Sequence, residues 1–463
     1  MSKPNSPLKY VRHVAIGATS GLVLLALIIG GFTLSAPAKS TEETKTPSST
    51  PTDSPTVTPT PEGRDCSVAE LAADTRLVGL HAQVMNPETN EVLFDIQGDT
   101  PAQTASVMKL LTAAAALQVL GPNFRVQTKV YLDLDNPGQI VIIGAGDPTL
   151  SRVRAGVESV YKGAPKLSDL AVQINSKIRA TPITNILLDS TYFEGSTWDP
   201  EVQEDERTIG YQSIISALQV DGDRDNPTRL TSPRSLDPVD RVGKALKKAI
   251  GPVASAATWT QGKAGTNLQE IAVVQSQPIS KWISHMLQVS DNTEAEFLAR
   301  LVSKQLGYDG SQSSIDAAIK SALMRAGLDT TGLNLKDGSG ENEGNQVPAT
   351  FINALLKKVL NSEGDFGVIK QALPVAGESG SLASRFKGEN IDAAGHIFAK
   401  TGWTRSEYSL AGIIMAKDGT DLVFSIAAIG DVNDTAKQAI DNLATGFYRC
   451  GNKLSAEITP KTN

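Results

Sequence analysis

Cysteine and histidine are scarce in this chain. Of 463 residues two are cysteine, Cys66 and Cys450, and four are histidine. The histidines (His13, His81, His285, His396) lie far apart with no HExxH-like spacing, which excludes a zinc peptidase and leaves no metal site to predict. Basic residues are outnumbered, 43 Lys and Arg against 50 Asp and Glu, for a net charge of -7. A nucleic-acid binder would show the reverse balance, so no nucleic-acid partner is expected. Internal repeats are absent too. What remains is a chain of near-average apolar content, long enough for two or three domains and a sizeable core.

The N-terminal segment points out of the cytoplasm. Residues 1–13 carry Lys3, Lys9, Arg12 and His13 and no acid, and residues 14–35 are apolar over about the ~20 residues that a bilayer span needs. Basic residues before the span predict a cytoplasmic tail and a transmembrane anchor. A cleaved signal peptide is the alternative, because the densest part, 22–32, has h-region length and Ala36-Pro37-Ala38 resembles a cleavage site. Either way the remainder lies outside the cytoplasm, anchored or secreted. Residues 36–63 are rich in Pro, Ser, Thr and acids and read as a linker. In an exported protein Cys66 and Cys450, near the two ends of the globular part, are most simply a disulfide, with two unrelated free thiols as the alternative.

From Cys66 onward the pattern is globular. Residues 67–74 predict a short helix, and 78–85 and 91–96 are alternating runs around a Pro-containing turn, hence a hairpin. Near the other end 397–403, 409–415 and 422–429 read as three strands. The last two are joined by Lys417-Asp418-Gly419, a hairpin signal, and a helix follows over 434–448. Together these predict an α+β fold with one five-stranded antiparallel sheet, both terminal helices on one face. Between the halves, residues 121–275 have another texture, with short strand-like runs at 125–134, 139–143 and 183–188 and one helix at 238–249. That stretch reads as an insertion, dividing the domain into 64–120 and 276–455, with a tail at 456–463. Helices return at 281–289, 293–305, 313–326 and 349–360.

Three short motifs carry the chemistry. Ser106-Val107-Met108-Lys109 opens the Ala-rich helix of 110–120, which Gly121-Pro122 stops. A serine hydroxyl needs a neighbouring base, and a lysine three residues on shares its helix face; desolvation would lower its pKa toward the neutral form. Ser290-Asp291-Asn292 sits between two helices, where residues two apart face one cleft, so the Ser290 hydroxyl and Asn292 amide can touch Lys109 and a bound amide. Lys400-Thr401-Gly402 lies on an edge strand, presenting a cation and a hydroxyl to a carboxylate while Gly402 leaves room. Other residues have plainer readings. Asp337, Gly338 and Gly340 shape a turn or touch substrate, Asp147-Pro148 caps a loop, Asp291 turns the backbone, and His285 is a packed core residue, with a proton carrier as the alternative.

In this order and these contexts the motifs resemble those of the penicillin-recognising serine D,D-peptidases and serine β-lactamases. The chain looks most like the class C low-molecular-mass penicillin-binding proteins, the D-alanyl-D-alanine carboxypeptidase/endopeptidase family. The narrowing features are the long insertion after the Ser-x-x-Lys helix, residues 144–150 and 215–220 within it, Asp337-Gly338-Ser339-Gly340, and residues 376–382. The resemblance, over about 66–450, implies a β-lactamase/D,D-peptidase-like fold and attack by Ser106 on the bond between two terminal D-alanines of a peptidoglycan stem peptide. It further implies Lys109 as base, Ser290 as proton relay with Lys400 supplying nearby positive charge, Asn292 as holder of the substrate amide, and Lys400, Thr401 and Gly402 as substrate contacts. The backbone N–H groups of Ser106 and Trp403 would form the oxyanion hole. Penicillins and other β-lactams would acylate Ser106, and no cofactor is required. A serine β-lactamase is the second reading, though no Glu-x-x-x-Asn-type loop stands where the insertion is; a catalytically idle cell-wall-binding module is the third.

Overall fold

The computed structural model describes residues 63–178 and 182–455. The expected cytoplasmic tail, apolar span, linker up to residue 62 and C-terminal tail lie outside the described residues. A single helical turn, α1 (Ala69–Ala72), shorter than expected, leads into a hairpin of β1 (His81–Asn86) and β2 (Glu91–Ile96). Asn86 folds the turn, its Oδ1 accepting from the backbone N–H groups of Glu88 and Thr89. A turn of 3-10 helix at Ala105–Val107 opens α2 (Met108–Leu120). Every residue from Met108 to Leu117 is buried, so α2 is enclosed on all sides up to its last turn, where Gln118 is exposed.

The chain then builds a second sheet from β3 (Gln127–Asp133), β4 (Gln139–Ile143), α3 (Leu167–Lys177), β5 (Asn185–Asp189), α4 (Asp205–Ile209), α5 (Pro238–Ile250), β6 (Thr258–Gln261) and β7 (Leu268–Gln275). Its five strands run in the order β6-β5-β4-β3-β7. The β4-β5 and β5-β6 pairs are parallel and the β3 pairs antiparallel. Two elements depart from the expectation of one helix in this stretch. Leu167, Leu170, Ala171 and Ile174 are spaced as a buried helical face, so 167–177 is helix α3, which packs with α5 on the sheet in a core of its own. The short helix α4 is the second addition.

After β7 come α6 (Ile279–Val289), α7 (Asn292–Gln305), α8 (Ile315–Arg325), α9 (Ala349–Leu360) and α10 (Gly367–Ala372), which with α2 form the largest core. Three strands, β8 (Ile397–Thr404), β9 (Glu407–Met415) and β10 (Asp421–Ile429), and helix α11 (Thr435–Cys450) end the described chain. They join the first hairpin in an antiparallel sheet of order β2-β1-β10-β9-β8. Alternation along β10 divides its side chains. Leu422, Phe424, Ile426 and Ala428 face the core that α11 closes, while Val423 faces the helical core. Cys66 and Cys450 form a disulfide across 384 residues, tying the start of the fold to the end of α11. Among the described residues no helix is long and apolar enough to cross a membrane.

Candidate active site

The three motifs meet because α2, the α6-α7 junction and the edge strand β8 converge on one cleft of about 340 Å³. Ser106, Ser290, Asn292, Thr401, Gly402 and Trp403 all line it. Ser106 sits in the 3-10 turn, beside Ala105, whose φ of +40° is strained for a residue with a Cβ. Neighbours hold that strain in place. Ser409 Oγ donates to the Thr104 carbonyl at 2.9 Å, and a Cβ on Gly402 would stand 2.0 Å from Ser409 Oγ and 2.9 Å from Ala105 Cβ. A Cβ on Gly340 would meet the Ala105 carbonyl at 1.8 Å. Both glycines are therefore where backbone must approach the serine turn closely.

Lys109 is fully buried and has three polar neighbours: Ser106 Oγ at 2.8 Å, Asn292 Oδ1 at 2.7 Å and the Ser339 carbonyl at 2.6 Å. A neutral amine has two N–H bonds and one lone pair. Donating to Asn292 and Ser339 leaves the lone pair for the Ser106 hydroxyl. Burial brings the Lys109 pKa down to about 8 against the pull of the Glu341, Asp337, Glu296 and Asp291 carboxyls. The loop carrying Ser339 is pinned to α2 by Thr112 Oγ1, which donates to the Gly338 carbonyl at 2.6 Å. Asp337 shapes that loop, accepting from Gly340 N, Asn342 N and Asn345 Nδ2.

Asn292 reaches Lys109, but Ser290 does not: its Oγ instead accepts from Lys400 Nζ at 2.9 Å. The reason is the backbone. Ser290 caps α6 in the left-handed region (φ +61°), which turns its side chain from α2 toward β8. Lys400 is fully buried and also donates to the Thr401 carbonyl at 2.6 Å. Burial, and then the charge of Lys109, hold its pKa well below the usual lysine range. Thr401 Oγ1 lies 2.8 Å from Ser381 Oγ, and the Trp403 ring, 46% exposed, tilts over Tyr408 at the rim.

Several residues of the site carry no motif. Glu341 accepts from Asn292 Nδ2 at 2.5 Å and lines the cleft; burial raises its pKa to about 7 despite Lys109. It directly follows the Asp337-Gly338-Ser339-Gly340 stretch, the one signal that could have found it. Arg224 had no signal. It lies in the loop before α5, 2% exposed, and its Nη2 pairs with Asp291 Oδ2 at 2.6 Å while Nη1 donates to Tyr161 Oη at 2.7 Å. Asp291 therefore does more than turn the backbone. Its Oδ1 caps α7 by accepting from Glu294 N at 3.0 Å, and although burial opposes ionisation, Arg224 holds its pKa below the usual carboxylate range. His285 Nδ1 lies 2.6 Å from Glu294 Oε2. The ligand-type atoms of His285, Asp291 and Glu294 lie within 4.8 Å of one another, but Arg224 already satisfies Asp291, so the group is an ion-pair network. Asp147 accepts from Thr149 N and Oγ1, as a loop cap does.

Known proteins share this arrangement of chain. A sequence profile of the D-Ala-D-Ala carboxypeptidase 3 (S13) family matches residues 65–240 and 226–447. A carboxypeptidase of Mycobacterium tuberculosis is 34% identical over 84% of this chain and 84% of its own. Carboxypeptidase DacB of Mycolicibacterium smegmatis is 31% identical over 95% of this chain and 97% of its own. In fold, the crystal structure of penicillin-binding protein 4 of Haemophilus influenzae superposes with a TM-score of 0.70 at 18% identity, covering 82% of this chain and 99% of that one. By the extent of these matches, the chain belongs to the D-Ala-D-Ala carboxypeptidase 3 (S13) family.

Proposed function

We propose that this protein is a serine D-alanyl-D-alanine carboxypeptidase in which Ser106 is the nucleophile and Lys109 its base. The observation that carries the reading is the contact of Ser106 Oγ with a buried lysine whose other two neighbours are both acceptors. Lys109 takes the Ser106 proton as Oγ attacks the carbonyl between the two terminal D-alanines of a stem peptide. The C–N bond breaks, and the leaving amine takes a proton through Ser290, which lies against Lys400. Water then attacks the ester on Ser106 and restores the hydroxyl. When the leaving amine belongs to a cross-link, the same steps are an endopeptidase reaction.

The other groups bind and stabilise. Asn292 Nδ2, now on Glu341, would turn to the substrate amide, and the N–H groups of Ser106 and Trp403 would receive the oxyanion, one such donor being worth ~10²–10³ in rate. An incoming terminal carboxylate beside Lys400 and Thr401 would favour the charged ammonium that burial otherwise discourages. A β-lactam amide in the same place would leave its ring-opened acyl group on Ser106. The apolar 14–35 stretch, preceded by basic residues, would tether the enzyme to the membrane facing the wall. The test is release of D-alanine from a synthetic stem pentapeptide. Wild type should release it and Ser106→Ala should not; equal release by both proteins would refute the assignment.

A further inference from the structure

A cavity of about 440 Å³ lies where the 160–164 loop meets α6 and the first turn of α7. Lys281, Ser284, His285 and Gln288 line it from one face of α6, at spacings of three and four residues, and Trp282 adds its ring beside them. None of its lining residues lines the Ser106 cleft. Its walls are largely aromatic. The Tyr161 hydroxyl is taken by Arg224 at 2.7 Å and Asp291 at 3.3 Å, which leaves the ring for the cavity, where it meets the His285 ring edge-on at 5.3 Å. With Val160 and Ala164, these rings make a wall suited to a flat aromatic molecule, and the volume falls in the range of small-molecule sites.

The polar atoms left over are donors. Trp282 Nε1 and His285 Nε2 are buried without a hydrogen-bond partner among the described residues. An indole nitrogen can only donate. Burial opposes a charge on His285, but the Glu294 carboxyl raises its pKa, which favours a proton on Nε2. Lys162 and Lys281 line the same cavity, exposed and with no hydrogen-bond or ion-pair partner among the described residues. Nearby acids are occupied elsewhere. Glu294, the one acid in the lining, lies 2.6 Å from His285 Nδ1, and Glu158, outside the lining, accepts from Gly163 N at 2.8 Å and stands 3.8 Å from Lys166. Four donors with no acceptor among them call for an acceptor of negative charge, and a carboxylate takes several donors at once. We propose that this cavity is a second binding site, apart from the catalytic cleft, for a planar aromatic carboxylate, its ring against Tyr161, His285 and Trp282.

The probe is naphthoate, with naphthylmethanol as its neutral counterpart. Both are titrated by calorimetry into the full-length protein, into Lys162→Glu/Lys281→Glu, and into Ala164→Phe, which narrows the cavity without changing its charge. All three proteins share their N-terminal segment, so the difference between them is the readout, and a cooperative thermal melt in each confirms an intact fold. The expected result is saturable binding of one naphthoate per wild-type chain, unaffected by benzylpenicillin, and at least about tenfold weaker binding in each variant and for the alcohol. Absence of saturable binding by wild type, equal binding by wild type and the charge-reversed protein, or displacement of naphthoate by benzylpenicillin overturns the proposal.

Discussion

At the residue scale the decisive group is Lys109, since a buried lysine beside a serine is useful only when neutral. Its pKa near 8 sets the sign of a pH dependence. Below 8 the ammonium dominates, and the neutral fraction rises about tenfold per pH unit before levelling off. The rate of Ser106 acylation by benzylpenicillin, followed by quench and mass measurement from pH 6 to 9, should climb in that way and flatten above about pH 8. A flat profile over the whole range would count against Lys109 as the base. Sequence made this pair legible, because Ser-x-x-Lys at a helix start fixes both side chains on one face. Spacing alone pointed Ser290 at Lys109, and only the resemblance placed the Lys400 charge near it, because the left-handed turn that swings the hydroxyl to Lys400 has no residue signature in Ser-Asp-Asn. For the Glu341 carboxyl the one signal was its place after Asp337-Gly338-Ser339-Gly340, since its position beside Asn292 arises only once the 337–341 loop folds over α2.

At the scale of elements, the segment between α2 and α6 buttresses the α6-α7 junction. Arg224 and Tyr161, both from it, close on Asp291 between Ser290 and Asn292 at the α6-α7 junction. Arg224→Ala leaves a buried carboxylate without its cation, a change that typically costs about 3–5 kcal/mol. Asp291 is depressed in the folded protein, so its contribution is present above its ordinary pKa and fades as pH falls. The variant should therefore lose about the same stability, relative to wild type, from neutral pH down to about pH 4 and progressively less below it, as thermal melts from pH 7 to pH 2 would register. An unchanged melting temperature at pH 7 would show that Arg224 does not support the junction. The strands of the main sheet were legible from alternation and from Asp418-Gly419 between two apolar runs. Helix α3 was overlooked although its apolar residues fall at helical spacing, because Asp, Ser and Asn dilute the stripe and the surrounding segment reads as strand and loop.

At the scale of the whole molecule, the fold is closed by joining its ends: β1 pairs with β10, and Cys66 with Cys450. A cross-link over 384 residues restricts the unfolded chain far more than the folded one, and its removal typically costs about 2–5 kcal/mol. Cys66→Ser/Cys450→Ser should melt several degrees below wild type yet still be acylated at 25 °C, since neither cysteine lines the cleft. Equal melting temperatures would show that the sheet alone secures the ends. That strands from both ends join one sheet was readable from two strand clusters at opposite ends of the chain, whereas the mixed topology of the second sheet was not, because its register depends on crossovers that local pattern does not encode. The central claim is that this fold exists to present Ser106 as a nucleophile. Intact-mass spectrometry after incubation with benzylpenicillin tests it most directly: one persistent penicilloyl adduct on wild type and none on Ser106→Ala is the predicted result, and an unmodified wild-type protein with the drug left intact would contradict it.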